Sequence, residues 1–188
     1  MPFGQENVGK RYTFWFYGKD GKFACKGKIL CYSTGKMRPC ANFKMDRRGN
    51  AMKIVIIDGQ GGRLGKLFTE AVKAKLPQAE IHALGTNSIA TATMLKAGAH
   101  FGATGENPVV RGVMDADAVL GPVGVVVAHS ILGEVTPAMA EAVGACRARK
   151  FLVPMNSCGV VVAGVKEESL QTYVAQAVEL MMEELERR

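Results

Sequence analysis

Asp58-Gly59-Gln60-Gly61-Gly62-Arg63-Leu64-Gly65 is the stretch of this chain whose residue types and spacing best suit a ligand. Gly59, Gly62 and Gly65 recur at every third position. Glycine permits a tight turn with positive φ and lets the backbone approach a pyrophosphate closely. A helix that starts at such a loop adds free N–H groups and a partial positive charge. Arg63 can add a charged contact to phosphate. Gly59, Gln60, Gly61, Gly62, Arg63 and Gly65 are therefore the candidate ligand-binding residues of the loop. The structural alternative is a tight turn whose glycines serve helix–strand packing and bind nothing.

Thr86, Asn87 and Ser88 form the second candidate group, supplying hydroxyls and an amide. No acidic residue stands among them to hold a ribose 2′-hydroxyl, and the strict GxGxxG pattern fails because Leu64 lies three after Gly61. Both features turn the expectation from plain NAD toward NADP, whose 2′-phosphate suits such donors, or toward another phosphorylated small molecule. Asn87 or Ser88 equally suits a helix cap.

Asp58 is the odd member of the loop. Its carboxylate would repel a phosphate unless a cation intervenes. It also stands where a phosphoryl-accepting aspartate would, at the end of a first strand. That defines a metal-assisted phosphoryl-transfer or hydrolytic reading, against which Gln60 and the lysine-free Pro154-Met155-Asn156 both count. Glu106, in Gly105-Glu106-Asn107, is the other candidate general acid or base, with a helix cap or a solvated carboxylate as its plainer role. His129 lies in an apolar stretch and is expected to be packed, and Cys158, with no charged neighbour to activate it, likewise. No Ser-His-Asp set, paired-carboxylate motif or metal-ligand motif is evident.

These residues need elements to hold them, and from Met52 the pattern is regular. KIVIID at 53–58 is a β-branched run, expected as a buried parallel strand. A helix follows to about Lys75 with Leu64, Phe68, Ala71 and Val72 on one face, and Leu76-Pro77 ends it. Residues 79–84 predict a strand; Asn87 or Ser88 then caps a helix carrying Ile89, Ala92 and Leu95, ended by Gly98. Residues 100–104 read as a weak strand, 108–115 as a short helix and 116–120 as a strand. Residues 123–133 are ambiguous between strand and helix. Thr136-Pro137 starts a helix to about Arg147, residues 150–154 form a strand, and 159–165 suggest an edge strand. The last helix carries Leu170, Tyr173, Val174, Ala177, Val178 and Met181 at spacings of three and four, with Glu179, Glu183, Glu184 and Glu186 outward.

Strands alternating with helices imply an α/β, three-layer Rossmann-like fold with a mainly parallel sheet of five or six strands. Ligands in such sheets bind beyond the carboxyl ends of the strands, where strand order reverses. That rule selects 58–65, 85–88, 102–107, Gly121-Pro122 and Asn156.

Residues 1–51 differ from the rest. They carry 11 Lys/Arg against 3 Asp/Glu, whereas 52–188 carry 13 against 14. Nine of the thirteen aromatic residues also lie before residue 52. The basic charge therefore does not describe the main domain, and no nucleic-acid partner is expected. Within this segment 11–17 and 22–33 suit a hairpin around Gly18-Lys19-Asp20-Gly21, and 36–50 read as a disordered linker. Two alternatives stay open: a basic, aromatic-rich extension, or upstream sequence ahead of a natural start at Met52. The five cysteines, Cys25, Cys31, Cys40, Cys146 and Cys158, fit no common zinc spacing and are expected as free thiols. No apolar run is long enough for a membrane helix or a signal-peptide core, so the expectation is a cytoplasmic protein.

KIVIIDGQGGRLGK, ALGTNSIATATMLKAGA, GATGEN, GPVGVVVAHSILGEVTPAMAEA and FLVPMNSCGVVVAGV are similar to motifs of the bacterial domain-of-unknown-function family 3842. The resemblance covers essentially all of 52–188 and none of 1–51, and it favours Met52 as the start. It implies a short bacterial protein with no activity to carry over, and draws attention to 58–65, 85–88 and 105–107. The loop IIDGQGGRLGKLF also resembles the opening of prephenate dehydrogenases, which use a nicotinamide cofactor, over a single βα turn. Three functions follow as expectations. The first is a nucleotide-binding protein, with NADP leading, which as an enzyme would need a homodimer or a partner to close its site. The second is a non-catalytic ligand sensor or partner-binding module using the same pocket. The third is the Asp58-centred enzyme.

Overall fold

The computed structural model describes residues 14–17, 22–25, 28–33, 36–39, 51–155 and 160–187. The chain divides into two units, Met1–Phe43 and Lys44–Arg188.

In the first unit, β1 (Phe14–Tyr17), β2 (Lys22–Cys25), β3 (Lys28–Ser33) and β4 (Lys36–Pro39) form an antiparallel sheet in chain order. The expected hairpin is β1 with β2, Tyr17 opposite Lys22. Two expectations change. The run 22–33 is two strands, and Lys36–Pro39, taken as linker, pairs with β3. Ladder hydrogen bonds join backbone to backbone, so a strand can form where side chains show no apolar alternation.

The second unit is a doubly covered parallel sheet. Its strands are β5 (Lys53–Asp58), β6 (Glu80–Gly85), β7 (Phe101–Thr104), β8 (Ala118–Pro122) and β9 (Arg149–Val153), in the order β7-β6-β5-β8-β9. All four pairings are parallel. The helices are α1 (Arg63–Lys75), α2 (Ser88–Lys96), α3 (Glu106–Gly112), α4 (Pro137–Ala145) and α5 (Leu170–Glu186). Side chains alternate across a strand, so Ile54 and Ile56 join the core with α1, α2 and α5, while Val55 and Ile57 join the other with α3 and α4. Both faces of β5 are thus buried, which is why its sequence is continuously apolar. This is the expected three-layer α/β fold with a five-stranded sheet.

Local signals place the helix ends. Thr136 accepts from the Met139 amide with Pro137 at the first helical position, and Asn87 accepts from the Ala90 amide. Ser169 caps α5, whose buried stripe is Val174, Ala177, Val178 and Met181.

Two expectations fail here, and one stretch left open takes a defined form. In α2 the stripe Ile89, Ala92, Leu95 faces outward, with Ile89 67% exposed, and Ala90, Thr91 and Met94 are buried instead. This helix is apolar on most sides, so periodicity does not choose its face. The choice comes from the start of α1, where the capping Gly62 and Gly65 admit Ala90 and Met94 to close approach. Residues 160–165 form no strand, and Gly159 and Asn156 lie outside the described residues, as does Cys158. The ambiguous stretch 123–133 is neither strand nor α-helix: a 3-10 turn, Val123–Val126, leads into a left-handed loop.

Candidate functional site

β5 lies at the centre of the sheet; its crossover leaves toward β6 on one side, and that of its neighbour β8 leaves toward β9 on the other. Strand order reverses between β5 and β8, and a small cleft of about 50 Å³ opens there. It is lined by Asp58, Gly59, Gln60, Leu64, Pro122, Ile131 and Met155. That volume suits a water or one small group rather than a whole nucleotide.

The glycine loop turns from β5 into α1. The Gly62 amide donates to the Gly59 carbonyl at 3.0 Å, and Gly62 caps the helix at φ +71° without a side-chain cap. Three of its glycines are required by packing. A Cβ on Gly59 would lie 2.6 Å from both Glu134 Oε2 and Thr86 Oγ1. On Gly62 it would lie 2.7 Å from Ala90 Cα, and on Gly65 2.4 Å from Met94 Sδ. Gly61 is different. A Cβ there would meet nothing within 4 Å, its φ is not positive, and it is exposed.

The N-terminus of α1 already holds an anion. Asp58, 6% exposed, accepts from the Gly59 amide at 2.8 Å through Oδ1 and from the Gly65 amide at 2.6 Å through Oδ2. Burial pushes its carboxyl above the usual aspartate range; the Gly65 and Gly59 amides oppose that, and the Glu134 charge adds to it. Both oxygens are thus engaged by backbone, and the helix dipole is compensated from within.

Sequence reading missed Glu134. Its Oε2 accepts from the Gln60 amide at 3.0 Å, from Asn87 Nδ2 at 2.9 Å and from the Thr86 hydroxyl. Burial raises its pKa, but the Thr86 hydroxyl, the Gln60 amide and the Asn87 amide together hold it below the ordinary glutamate range. Asn87 also donates to the Gln60 carbonyl at 3.0 Å, tying the two candidate groups together. Glu134 reaches this position from the loop after β8. His129, Ile131 and Leu132 there have φ of +62°, +53° and +57°, and Gly133 +85°. Positive φ in a β-branched residue such as Ile131 is costly. It is held by the His129 amide to Val135 carbonyl bond at 2.7 Å and by the buried Ser130 hydroxyl on the Gly124 carbonyl at 2.5 Å. Ile131 is 7% exposed and lines the cleft, whereas Leu132 is 88% exposed.

The structure thus gathers Asp58, Gly59, Gln60, Gly61, Gly62, Gly65, Thr86 and Asn87 into one neighbourhood. Arg63 heads α1 and is exposed; Ser88 heads α2 and is exposed. Glu106 opens α3 as an exposed residue outside the cleft lining. His129 is exposed, contrary to the packed position its apolar neighbours suggested. It sits in the left-handed turn at φ +62°, a backbone conformation that apolar composition does not report. Among the described residues no three His, Cys, Asp or Glu side chains are placed to hold a metal ion, and no helix is long and apolar enough to cross a membrane.

The family model described as Domain of unknown function (DUF3842) matches residues 53–186. The chain belongs to this family. The DUF3842 match begins at the first residue of β5 and ends at the last residue of α5, so it spans the parallel sheet with all five helices. Every residue of the candidate site lies within it. No curated protein matches the sequence.

Proposed function

We propose that this protein binds a nucleotide across loop 59–65, at the carboxyl edge of the sheet where strand order reverses. The observation that carries the reading is Gly61. Neither a neighbouring atom nor a positive φ requires glycine there, and bare backbone on an exposed βα turn is what close approach of a phosphate requires. The exposed Arg63 guanidinium would meet that phosphate from the first turn of α1. Asp58 would stay beneath the loop, its charge spent on the Gly59 and Gly65 amides. The ribose would lie toward Thr86 and Asn87, and the cleft beside Ile131 would take one small group. The metal-assisted reading is less favoured, because both Asp58 oxygens are already engaged.

The test is binding to the full chain with Gly61→Val as control. ATP, NADH, NADPH and FMN are titrated while melting temperature is followed. A ligand at about 100 times its Kd stabilises the fold by roughly 2.7 kcal/mol. The expected result is a shift with at least one nucleotide in the wild type and none in Gly61→Val, both proteins melting alike without ligand. Absence of any shift in the wild type refutes the proposal and leaves a structural turn. Where a nucleotide binds, a turnover screen separates an enzyme from a ligand sensor.

A further inference from the structure

Resting on the nucleotide reading above, we infer that Glu134 makes the site selective for a ribose with free hydroxyls and excludes a 2′-phosphate. The end of β6 carries no acidic residue of its own: Gly85, Thr86, Asn87 and Ser88 are neutral. In dinucleotide-binding folds an acid near this strand end accepts from the ribose hydroxyls, and its absence leaves room for phosphate. Here the acid arrives from another part of the chain. Glu134 is 48 residues beyond Thr86 in sequence, yet it accepts from the Thr86 hydroxyl and from Asn87 Nδ2.

Two consequences follow from its bonding. The donors that would have received a 2′-phosphate, the Thr86 hydroxyl, the Asn87 amide and the Gln60 N–H, are already committed to Oε2. A phosphate brought there meets a carboxylate, acceptor against acceptor and negative against negative. A hydroxyl meets the opposite situation. An ionised carboxylate only accepts, and its two oxygens offer about four lone-pair sites. All three protein donors fall on Oε2, so Oε1 keeps its capacity for a ribose hydroxyl. The chemistry therefore favours NAD, AMP or a similar nucleotide over NADP, reversing the expectation drawn from Thr86, Asn87 and Ser88 alone.

The position is also fixed without a ligand. Gly59 has no side chain where Glu134 Oε2 sits, and the loop that carries Glu134 is pinned by the Ser130 hydroxyl and the Val135 carbonyl. Glu134 is thus held beside Gln60, Thr86 and Asn87, and its charge acts on whatever ribose lies against them.

The experiment uses two matched pairs of probes that differ only in the 2′-phosphate: NADH with NADPH, and 5′-AMP with adenosine 2′,5′-bisphosphate. Kd is measured by calorimetry on the full chain, as wild type, Glu134→Gln and Gly61→Val. The wild type is expected to prefer the free-hydroxyl member of at least one pair by about tenfold or more, a factor corresponding to about 1.4 kcal/mol. Glu134→Gln, which keeps the shape and removes the charge, should shrink that preference to within about threefold, mainly by tighter binding of the phosphorylated member. Equal binding, or preference for the 2′-phosphate in the wild type, overturns the inference while the nucleotide reading stands. A preference unchanged in Glu134→Gln removes Glu134 as its cause and overturns it as well. If none of the four probes binds the wild type, the inference falls, and the reading it rests on falls with it only where ATP and FMN also leave the melting temperature unchanged.

Discussion

Replacing Gly62 and Gly61 one at a time by alanine separates the two jobs that glycine performs in this loop. Gly62 sits at φ +71°, and a Cβ there would lie 2.7 Å from Ala90 Cα and 2.9 Å from the Ala90 carbonyl oxygen. Left-handed backbone costs an alanine roughly 1–2 kcal/mol. The obstructing atoms are backbone of α2, so relief requires moving that helix, and overpacking of this kind costs typically about 1–3 kcal/mol. The sum is about 2–5 kcal/mol, which at roughly 4 °C per kcal/mol for a unit of this size lowers the melting temperature by about 8–20 °C. Gly61 has no such neighbour and no positive φ. Alanine there should leave stability unchanged or raise it by up to about 1 kcal/mol, through the smaller entropy of the unfolded chain. Among the described residues every α-helix belongs to the second unit, so the far-ultraviolet helical signal in thermal and urea melts follows that unit. Similar midpoints for the two variants would refute the reasoning, as would a loss of more than about 1 kcal/mol in Gly61→Ala, because either would mean that the loop packs differently.

Three further outcomes are expected. Gly65→Ala should cost about 1–3 kcal/mol because its Cβ would meet Met94 Sδ at 2.4 Å; in Gly65→Ala with Met94→Ala the two losses should be clearly sub-additive in urea melts, and additive losses would show that the pair does not share space. Leu132→Asn should raise the melting temperature by a few degrees, since Leu132 is 88% exposed at φ +57° and asparagine tolerates that backbone at roughly 1 kcal/mol less cost; a lower melting temperature would contradict the assigned loop geometry. Glu134 titrates below its ordinary 4.5, so its contribution is present above that pH and fades as pH falls through the lowered folded value. Asp58 titrates above its ordinary 3.8, so its contribution is full below 3.8 and is lost as pH rises through the raised folded value. The stability advantage of wild type over Glu134→Gln near neutral pH should therefore close in acid, while wild type should lose ground to Asp58→Asn as pH rises; pH-independent gaps would refute both.

The sequence by itself determined the order and kind of the five strands and five α-helices in the second unit. Its β-branched runs, its caps at Asn87 and Thr136 and the apolar stripe of α5 are local features, read over a few residues by periods of two and 3.6, and they depend little on the rest of the molecule. The glycine loop was legible for the same reason, as was its place between a strand and a helix. Tertiary structure decided the rest. Which face of α2 is buried depends on the gaps that Gly62 and Gly65 leave at the start of α1, and an apolar helix carries no internal record of that choice. The left-handed turn through Ile131 and Leu132 is held by Ser130 and Val135 against the local preference of both residues, so their types point away from it. Glu134 meets Gln60 across 74 residues of chain, and no spacing rule reaches that far. The sequence placed glycines, hydroxyls and an amide at two strand ends; only folding brought the Glu134 carboxylate among them.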